Sequence, residues 1–158
     1  MSMNKHKQFK IGLLGAGTVG AGVFKTLVKD KKSLSRKSAS NYDVSVVCVR
    51  DITKNRNIDF GSTKVTDNPL EIVNSSDIDI VIELIGGIEP AKTLILTALK
   101  NKKYVVTANK ALIASCGIEL FEEAQKNNVS ILFEASVAGA IPIIKLMSES
   151  FLANNINR

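Results

Sequence analysis

Cysteine and histidine are scarce in this chain. There are two cysteines, Cys48 inside an apolar run and Cys116 just after Ala114-Ser115, and one histidine, His6. Two cysteines so placed form neither a metal-ligand spacing nor a disulfide framework, and both are predicted to be reduced thiols. His6 lies in a polar tail and is not expected to be catalytic. Without a histidine to act as its base, Cys116 has little support as a nucleophile.

Long hydrophobic runs are also absent. No apolar stretch approaches the ~18 residues that a membrane-spanning helix needs. The first ten residues, MSMNKHKQFK, lack the apolar centre of a signal peptide. We therefore expect a cytoplasmic protein with no membrane partner. With 158 residues, 45% of them hydrophobic, the chain can bury a core, and we expect a disordered tail at residues 1–8 followed by a single domain at residues 9–158.

Aromatic residues are few, and this matters for whether the net charge of +6 indicates nucleic-acid binding. The chain has no tryptophan, two tyrosines and six phenylalanines. The densest basic cluster runs from Lys25 to Lys37 against one acid, Asp30, and leads into the polar stretch SLSRKSASN. We interpret this segment as a helix end followed by a solvated loop. Because no nucleic-acid motif accompanies the charge, nucleic acid is not an expected partner.

Short apolar runs alternate with segments of helical periodicity along the chain. The runs predict strands at residues 9–14, 44–49, 63–66, 78–85, 104–107 and 130–135. Helices are predicted at residues 18–28, 89–101 and 117–127, with a further start at Asn68-Pro69. This alternation predicts an α/β fold, a doubly wound and mostly parallel sheet of the Rossmann type covered on both faces. No internal repeat or low-complexity segment interrupts it.

The sequence GAGTVG follows the first predicted strand and opens the first predicted helix. In a dinucleotide-binding turn, Gly15 would permit the tight turn, Gly17 would let the backbone approach a pyrophosphate, and Gly20 would let the helix pack against the strand. The amides of Thr18 and Val19, at the positive end of the helix, would then face the phosphates. The alternative is a glycine-rich turn without a ligand, which the β-α-β frame disfavours.

The end of the second strand bears on the choice between NAD and NADP. It reads VCVRD, so that Arg50 comes first and Asp51 is interpreted as the start of the turn. A guanidinium at this position favours the 2′-phosphate of NADP. Arg50 could instead stack on an adenine and leave NAD tolerated, or be solvated. We expect NADP, with NAD as the alternative.

A glycine pair follows the fourth strand in the sequence LIGGIEP. The carboxyl ends of strands in doubly wound sheets border the ligand crevice. The backbone of Ile85 and Gly86 is therefore a candidate cofactor contact, although a plain turn between strand and helix remains an equal alternative.

Five motifs together resemble one enzyme family. GAGTVG, VRD, ELIGGIEPA, TANKALIA and FEASVAGAIPIIK occur in this order, and they resemble the amino-terminal half of homoserine dehydrogenase from about residue 9 to the end. The resemblance implies an NAD(P)-dependent oxidoreductase that interconverts L-aspartate 4-semialdehyde and L-homoserine, in the biosynthesis of threonine, methionine and isoleucine.

The resemblance also implies roles for individual residues. Lys110, in TANKALIA, matches a catalytic lysine of the family and borders the cofactor. Reduction of an aldehyde needs a proton for the developing alkoxide. Lys110 lies just ahead of a helical turn expected at residues 111–114, and the positive end of that turn would make the lysine release its proton more readily. The alternative is a surface lysine at the start of a loop.

A second implied site is for a monovalent cation such as Na⁺. Its ligand positions match Glu134, which is expected to end the last strand, and Val137, Gly139 and Ile141 in the following turn. Hard cations prefer such oxygen ligands. The alternative is a turn at the start of a helix that uses no ion.

The chain departs from the family in its length. Members continue past the point matching Arg158 into a substrate-binding and dimerising domain, where a second catalytic lysine is expected. We therefore expect a homodimeric complete protein and no activity from this part alone. Two rivals remain: another NAD(P)-dependent amino-acid dehydrogenase, such as one acting on aspartate, and a non-catalytic module that senses NADP(H).

Overall fold

Six parallel strands form the centre of the computed structural model, which describes residues 8–139 and 141–150. The strands are β1 (Gln8–Leu14), β2 (Asn41–Cys48), β3 (Lys64–Thr66), β4 (Ile80–Glu83), β5 (Tyr104–Thr107) and β6 (Ile131–Leu132). Their order in the sheet is β3-β2-β1-β4-β5-β6, and every neighbouring pair is parallel. The prediction of a doubly wound parallel sheet is confirmed. The order reverses between β1 and β4, where such sheets form a ligand crevice.

Helices connect the strands. They are α1 (Thr18–Lys29), α2 (Lys31–Ser38), α3 (Leu70–Val73), α4 (Ala91–Lys100), α5 (Lys110–Lys126) and α6 (Ile143–Lys145), with a 3₁₀ turn at Glu134–Ser136 and a π-helical turn at Leu146–Ser150. Within the described part of the chain, none of these helices combines the length and apolar character required to cross a bilayer.

Both faces of the sheet are covered by apolar side chains. Successive residues of a strand point to opposite faces, and Leu13 and Leu14 of β1 are both fully buried. Leu14 belongs to a core cluster that includes Leu99 of α4 and Leu112 of α5, whereas Leu13 belongs to a second cluster with Phe24 of α1. Burial on both faces explains why these strands read as continuous apolar runs rather than as alternating patterns.

The basic segment after Asp30 is a helix, and our interpretation of it as a solvated loop was wrong. Residues 31–38 form α2, which has no buried residue. Lys31 at its start pairs with Asp43 of β2 at 2.7 Å, and Leu34 packs against the core. Lysine, arginine and leucine are good helix formers, but a single apolar residue gives no periodicity to detect.

Several predicted boundaries differ from the structure. A helical turn at residues 111–114 and a separate helix from residue 117 were predicted, but they are one helix that begins at Lys110. Gly117 is a buried position inside that helix rather than a start. The last strand ends at Leu132, so Glu134 begins a 3₁₀ turn instead of ending the strand. Gln8, assigned to the disordered tail, pairs with Asn41 in the sheet. Residues 1–7 of that tail, including His6, and the chain after Ser150 lie outside the described residues.

The contact between α1 and the end of β1 depends on Gly20. A Cβ built at Gly20 would lie 2.0 Å from the carbonyl oxygen of Gly15, whereas a Cβ at Gly22, on the same helix, would meet nothing within 4 Å. We expect Gly20→Ala to lower the free energy of unfolding by roughly 1–3 kcal/mol, because the helix must move away from the turn. Gly22→Ala is the matched control and should raise it by roughly 0.5–1 kcal/mol through helix propensity. Urea denaturation of both variants measures the difference, and equal stabilities would contradict the close packing.

Candidate functional site

The loops after β1 and β4 meet at the reversal of strand order. The Gly15 amide donates to the Cys48 carbonyl at 2.9 Å, and the Leu84 amide donates to the Leu14 carbonyl at 2.8 Å. Gly15 has φ +101°, and a Cβ there would lie 2.8 Å from the Leu84 carbonyl oxygen. Only glycine fits both the conformation and this approach of the two loops.

The glycine turn leaves open space in front of its backbone. Gly17 precedes α1 as its N-terminal capping residue, and a Cβ there would meet no protein atom within 4 Å. The amides of Thr18, Val19 and Gly20 occupy the first turn, where a helix offers no internal acceptor. No acidic residue occupies that turn. Open space, amide donors and a positive helix end fit a pyrophosphate.

Arg50 and Asp51 follow β2 and behave differently. The Asp51 carboxylate accepts hydrogen bonds from the Thr53 hydroxyl at 2.7 Å and the Thr53 amide at 2.8 Å. These bonds hold the pKa of Asp51 below its usual value. Asp51 therefore starts the turn, whereas Arg50 is exposed at the end of the strand.

A buried carboxylate shapes the loop after β4. Glu83 is the last residue of β4 and is 0% exposed. Its Oε1 accepts hydrogen bonds from the amides of Ile85 at 2.8 Å and Gly86 at 3.2 Å, so the chain leaves the sheet earlier than the predicted end at residue 85. Gly86 and Gly87 then adopt φ values of +80° and +75°. The sequence offered one signal for Glu83, a carboxylate near the carboxyl end of the apolar run IDIVIELI, whose other charged residue, Asp79, lies near its start. We did not use that signal.

Lys110 is the first residue of α5 and is exposed. It follows Asn109, whose side-chain oxygen accepts from the Leu112 amide at 3.1 Å and so caps the helix. The Asn109 side-chain nitrogen donates to the Gly87 carbonyl at 2.6 Å. Because this bond reaches the β4 loop, the segment carrying Lys110 lies beside Ile85 and Gly86, two of the predicted cofactor contacts.

The residues predicted to bind a cation lie in a turn that Glu134 organises. Its carboxylate accepts hydrogen bonds from the amides of Ile144 at 2.8 Å and Lys145 at 3.1 Å. The Ile141 carbonyl accepts from the Ile143 amide at 2.8 Å, and Gly139 has φ +63°. Val137 is half exposed. Ala140, in the same turn, lies outside the described residues, and among those described no group of three or more His, Cys, Asp or Glu side chains could hold a metal.

Comparisons with known proteins agree with this geometry. Residues 15–134 match the family model described as "Homoserine dehydrogenase, NAD binding domain". The chain is 40% identical over 152 residues to homoserine dehydrogenase of Bacillus subtilis and 42% identical over 151 residues to that of Pseudomonas aeruginosa; each alignment covers 96% of this chain. It covers only 35% and 34% of those two proteins, so the chain spans about a third of their length.

Solved structures give the same result. The crystal structure of a homoserine dehydrogenase from Thiobacillus denitrificans matches 94% of this chain with a TM-score of 0.87 and 44% identity, and the match covers 34% of that chain. The S. aureus enzyme at pH 7.5 matches 84% with a TM-score of 0.78 and 40% identity, again over 34% of its own chain. The chain therefore belongs to the homoserine dehydrogenase family and carries the family's NAD-binding domain.

Proposed function

We propose that the complete protein interconverts L-homoserine and L-aspartate 4-semialdehyde, and that this chain binds its nicotinamide cofactor, with NADP preferred to NAD. The observation that carries the proposal is the open backbone at Gly17 on the same edge of the sheet as Lys110. The substrate domain and the homodimer belong to the proposal as well, because the chain spans about a third of its relatives.

Cofactor binding would use backbone more than side chains. The amides of Thr18, Val19 and Gly20 hold the pyrophosphate, with Gly15 and Gly17 giving it room. The backbone of Ile85 and Gly86 passes against the cofactor at the β4 end of the crevice. A bound nicotinamide supplies or accepts the hydride.

Arg50 would select NADP. It is exposed at the end of β2, where the adenosine ribose of a dinucleotide lies in this fold. The Oδ1 of Asp51 accepts both hydrogen bonds from Thr53, which orients the carboxylate toward the turn at Thr53. A positive group without a competing carboxylate favours the 2′-phosphate.

Lys110 would move the proton. In the oxidation of homoserine, the amine accepts the hydroxyl proton as the hydride leaves the same carbon, and in the reverse direction the ammonium returns it. Its position supports this role, because Lys110 begins α5 at the carboxyl edge of β4 and β5, where the cofactor crevice lies.

The cation would bind through backbone oxygens. The Glu134 carboxylate already accepts two amides, so a Na⁺ ion would use the carbonyls of Glu134, Val137, Gly139 and Ile141. The tight turn around Gly139 supports this arrangement.

Substrate oxidation by the complete protein tests the proposal. Homoserine with NADP⁺ should produce NADPH, followed by absorbance, and aspartate should not. Oxidation of aspartate would favour another amino-acid dehydrogenase. Cofactor binding without oxidation of either compound would favour a module that senses NADP(H).

Removal of the Arg50 side chain tests cofactor choice. Arg50→Ala should weaken NADP⁺ binding by roughly 1.5–3 kcal/mol, because a charge-assisted contact to the phosphate is lost, and should leave NAD⁺ binding nearly unchanged. Calorimetric titration of both cofactors measures the two effects. Arg36→Ala, an exposed arginine of α2, is the control and should alter neither. Equal losses for NADP⁺ and NAD⁺ would rule out the phosphate contact.

Two substitutions at Lys110 separate charge from proton transfer. On the complete protein, Lys110→Ala should lower kcat by roughly 10²- to 10⁴-fold with little change in cofactor affinity. Lys110→Arg should not restore it, because a guanidinium keeps the charge but does not release a proton near neutral pH. Lys126→Ala, at the other end of α5, is the control. Recovery of most activity by arginine would show that Lys110 acts as an electrostatic anchor instead.

A further inference from the structure

Glu83 is an unusual residue for the end of a buried strand. Its neighbours Val81 and Ile82 are apolar, and a carboxylate buried among them is costly unless hydrogen bonds replace its water. Among the described residues no ion pair to Glu83 is present; its partners are the Ile85 and Gly86 amides and the Thr107 hydroxyl, which donates to Oε2 at 2.6 Å. The carboxylate therefore joins two segments, the loop after β4 and the end of β5.

Thr107 carries the connection onward. It is 1% exposed, and its hydroxyl has a single hydrogen, which it donates to Glu83. The same oxygen accepts the Asn109 amide at 3.0 Å. The backbone just before Lys110 is thereby attached to the carboxylate through one side chain.

Asn109 makes a second connection between the β4 loop and the start of α5. Because the Leu112 amide can only donate, the Asn109 side-chain oxygen must face it, and its nitrogen then faces the Gly87 carbonyl. The β4 loop is consequently held to the start of α5 twice, at Glu83 through Thr107 and at Gly87 through Asn109. Each of these hydrogen bonds involves a side chain of Glu83, Thr107 or Asn109, and we call the set the Glu83 network.

The Glu83 network has a consequence for catalysis. The loop it holds contains the predicted cofactor contacts, and the helix start it holds contains Lys110. A displacement of about 1 Å between reacting groups can cost on the order of 10²-fold in rate. We propose that Glu83, Thr107 and Asn109 are positioning residues, which hold the cofactor-binding loop at a fixed position relative to Lys110. Since the role of Lys110 belongs to the proposed function, this inference rests on it.

Substitutions at Thr107 in the complete protein test whether the β4 loop must be held in position relative to Lys110. Thr107→Val keeps the shape but removes the hydroxyl, and should lower kcat by about 10- to 100-fold. Thr107→Ser restores the hydroxyl and should return kcat to within about threefold of the wild type. If the valine variant fails to fold, Asn109→Ser decides: serine can still cap α5 but loses the bond to Gly87, and kcat should fall by about tenfold. A folded variant of either kind with kcat within about threefold of wild type would overturn the proposal.

Thr66→Val is a closely matched control. Thr66 is buried at the carboxyl end of β3, and its hydroxyl oxygen accepts the Asn68 amide at 3.1 Å. The substitution removes the same kind of hydroxyl from the same kind of position, away from Lys110. It should lower the Tm similarly and leave kcat within about threefold of wild type. If Thr66→Val lowered kcat as much as Thr107→Val, the loss at Thr107 would be explained by general destabilisation, and the proposal would be overturned.

A double-mutant cycle asks whether Thr107 acts through Lys110. In the Lys110→Ala background, Thr107→Val should change kcat by less than about threefold, because the group to be positioned is already absent. Additive losses would show that Thr107 affects the rate by another route and would overturn the proposal.

Amide hydrogen exchange tests the connection between the β4 loop and the start of α5 without an activity measurement. Thr107→Val should make exchange roughly tenfold faster at the amides of Ile85 and Gly86 and also at Leu112, whereas Thr66→Val should affect neither group. Unchanged exchange at Leu112 would refute the link between loop and helix. If the wild type does not oxidise homoserine, the proposed function fails, and this measurement still decides whether the loop and the helix start are held together.

Discussion

The pairing of β1 on both of its edges is the constraint on which the site depends. β1 pairs with β2 on one side and with β4 on the other, all in parallel. The loops that leave β1 and β4 touch at Gly15 and Leu84, but α1 packs in one core cluster and α4 in the other. The two connections therefore diverge to opposite faces of the sheet and open a crevice beyond the strand ends. Gly12 allows this central position, because a Cβ there would lie 2.4 Å from the Ile72 side chain of α3.

Parallel pairing also fixes the electrostatics of that edge. Every strand ends at the same edge, and the helix that follows begins there. The positive ends of α1 and α5 therefore both lie at this edge of the sheet. The first end suits a pyrophosphate, and the second lies at Lys110. One topological feature thus brings an anion-binding helix start and the lysine of the proposed proton transfer to the same edge.

The sequence predicted the features that depend on local patterns. Apolar runs and short stretches of β-branched residues located all six strands, and GAGTVG was correctly placed between β1 and α1. The β-α-β order then predicted the sheet type. Helix α2 was missed because KKSLSRKS contains only Leu34 to pack. The continuity of α5 was missed because Gly117 resembles a boundary, although it is buried inside the helix. Such features depend on packing between distant residues, which periodicity does not report.

The polar contacts of the site were beyond prediction for the same reason. Thr107 and Asn109 were visible in TANKALIA, but their partners lie more than twenty positions earlier, at Glu83 and Gly87. No spacing rule connects a strand end to a hydroxyl on the neighbouring strand. The registers Glu83 to Thr107 and Ile82 to Val106 bring them together only once β4 and β5 have paired.

A second buried charge lies at the opposite edge of the same two strands. Lys103, just before β5, is almost fully buried and donates its ammonium to the carbonyls of Ser75 and Ile78, which precede β4. Burial lowers the pKa of this lysine. Lys103 thus joins β5 to the segment before β4 at the amino edge, as Glu83 joins β4 to β5 at the carboxyl edge. Each strand has only four residues, so these contacts at both ends limit how far β4 and β5 can slide. The segment that carries Lys110 is therefore anchored to two strands that are tied together at both ends, as the proposed role of Lys110 in proton transfer requires.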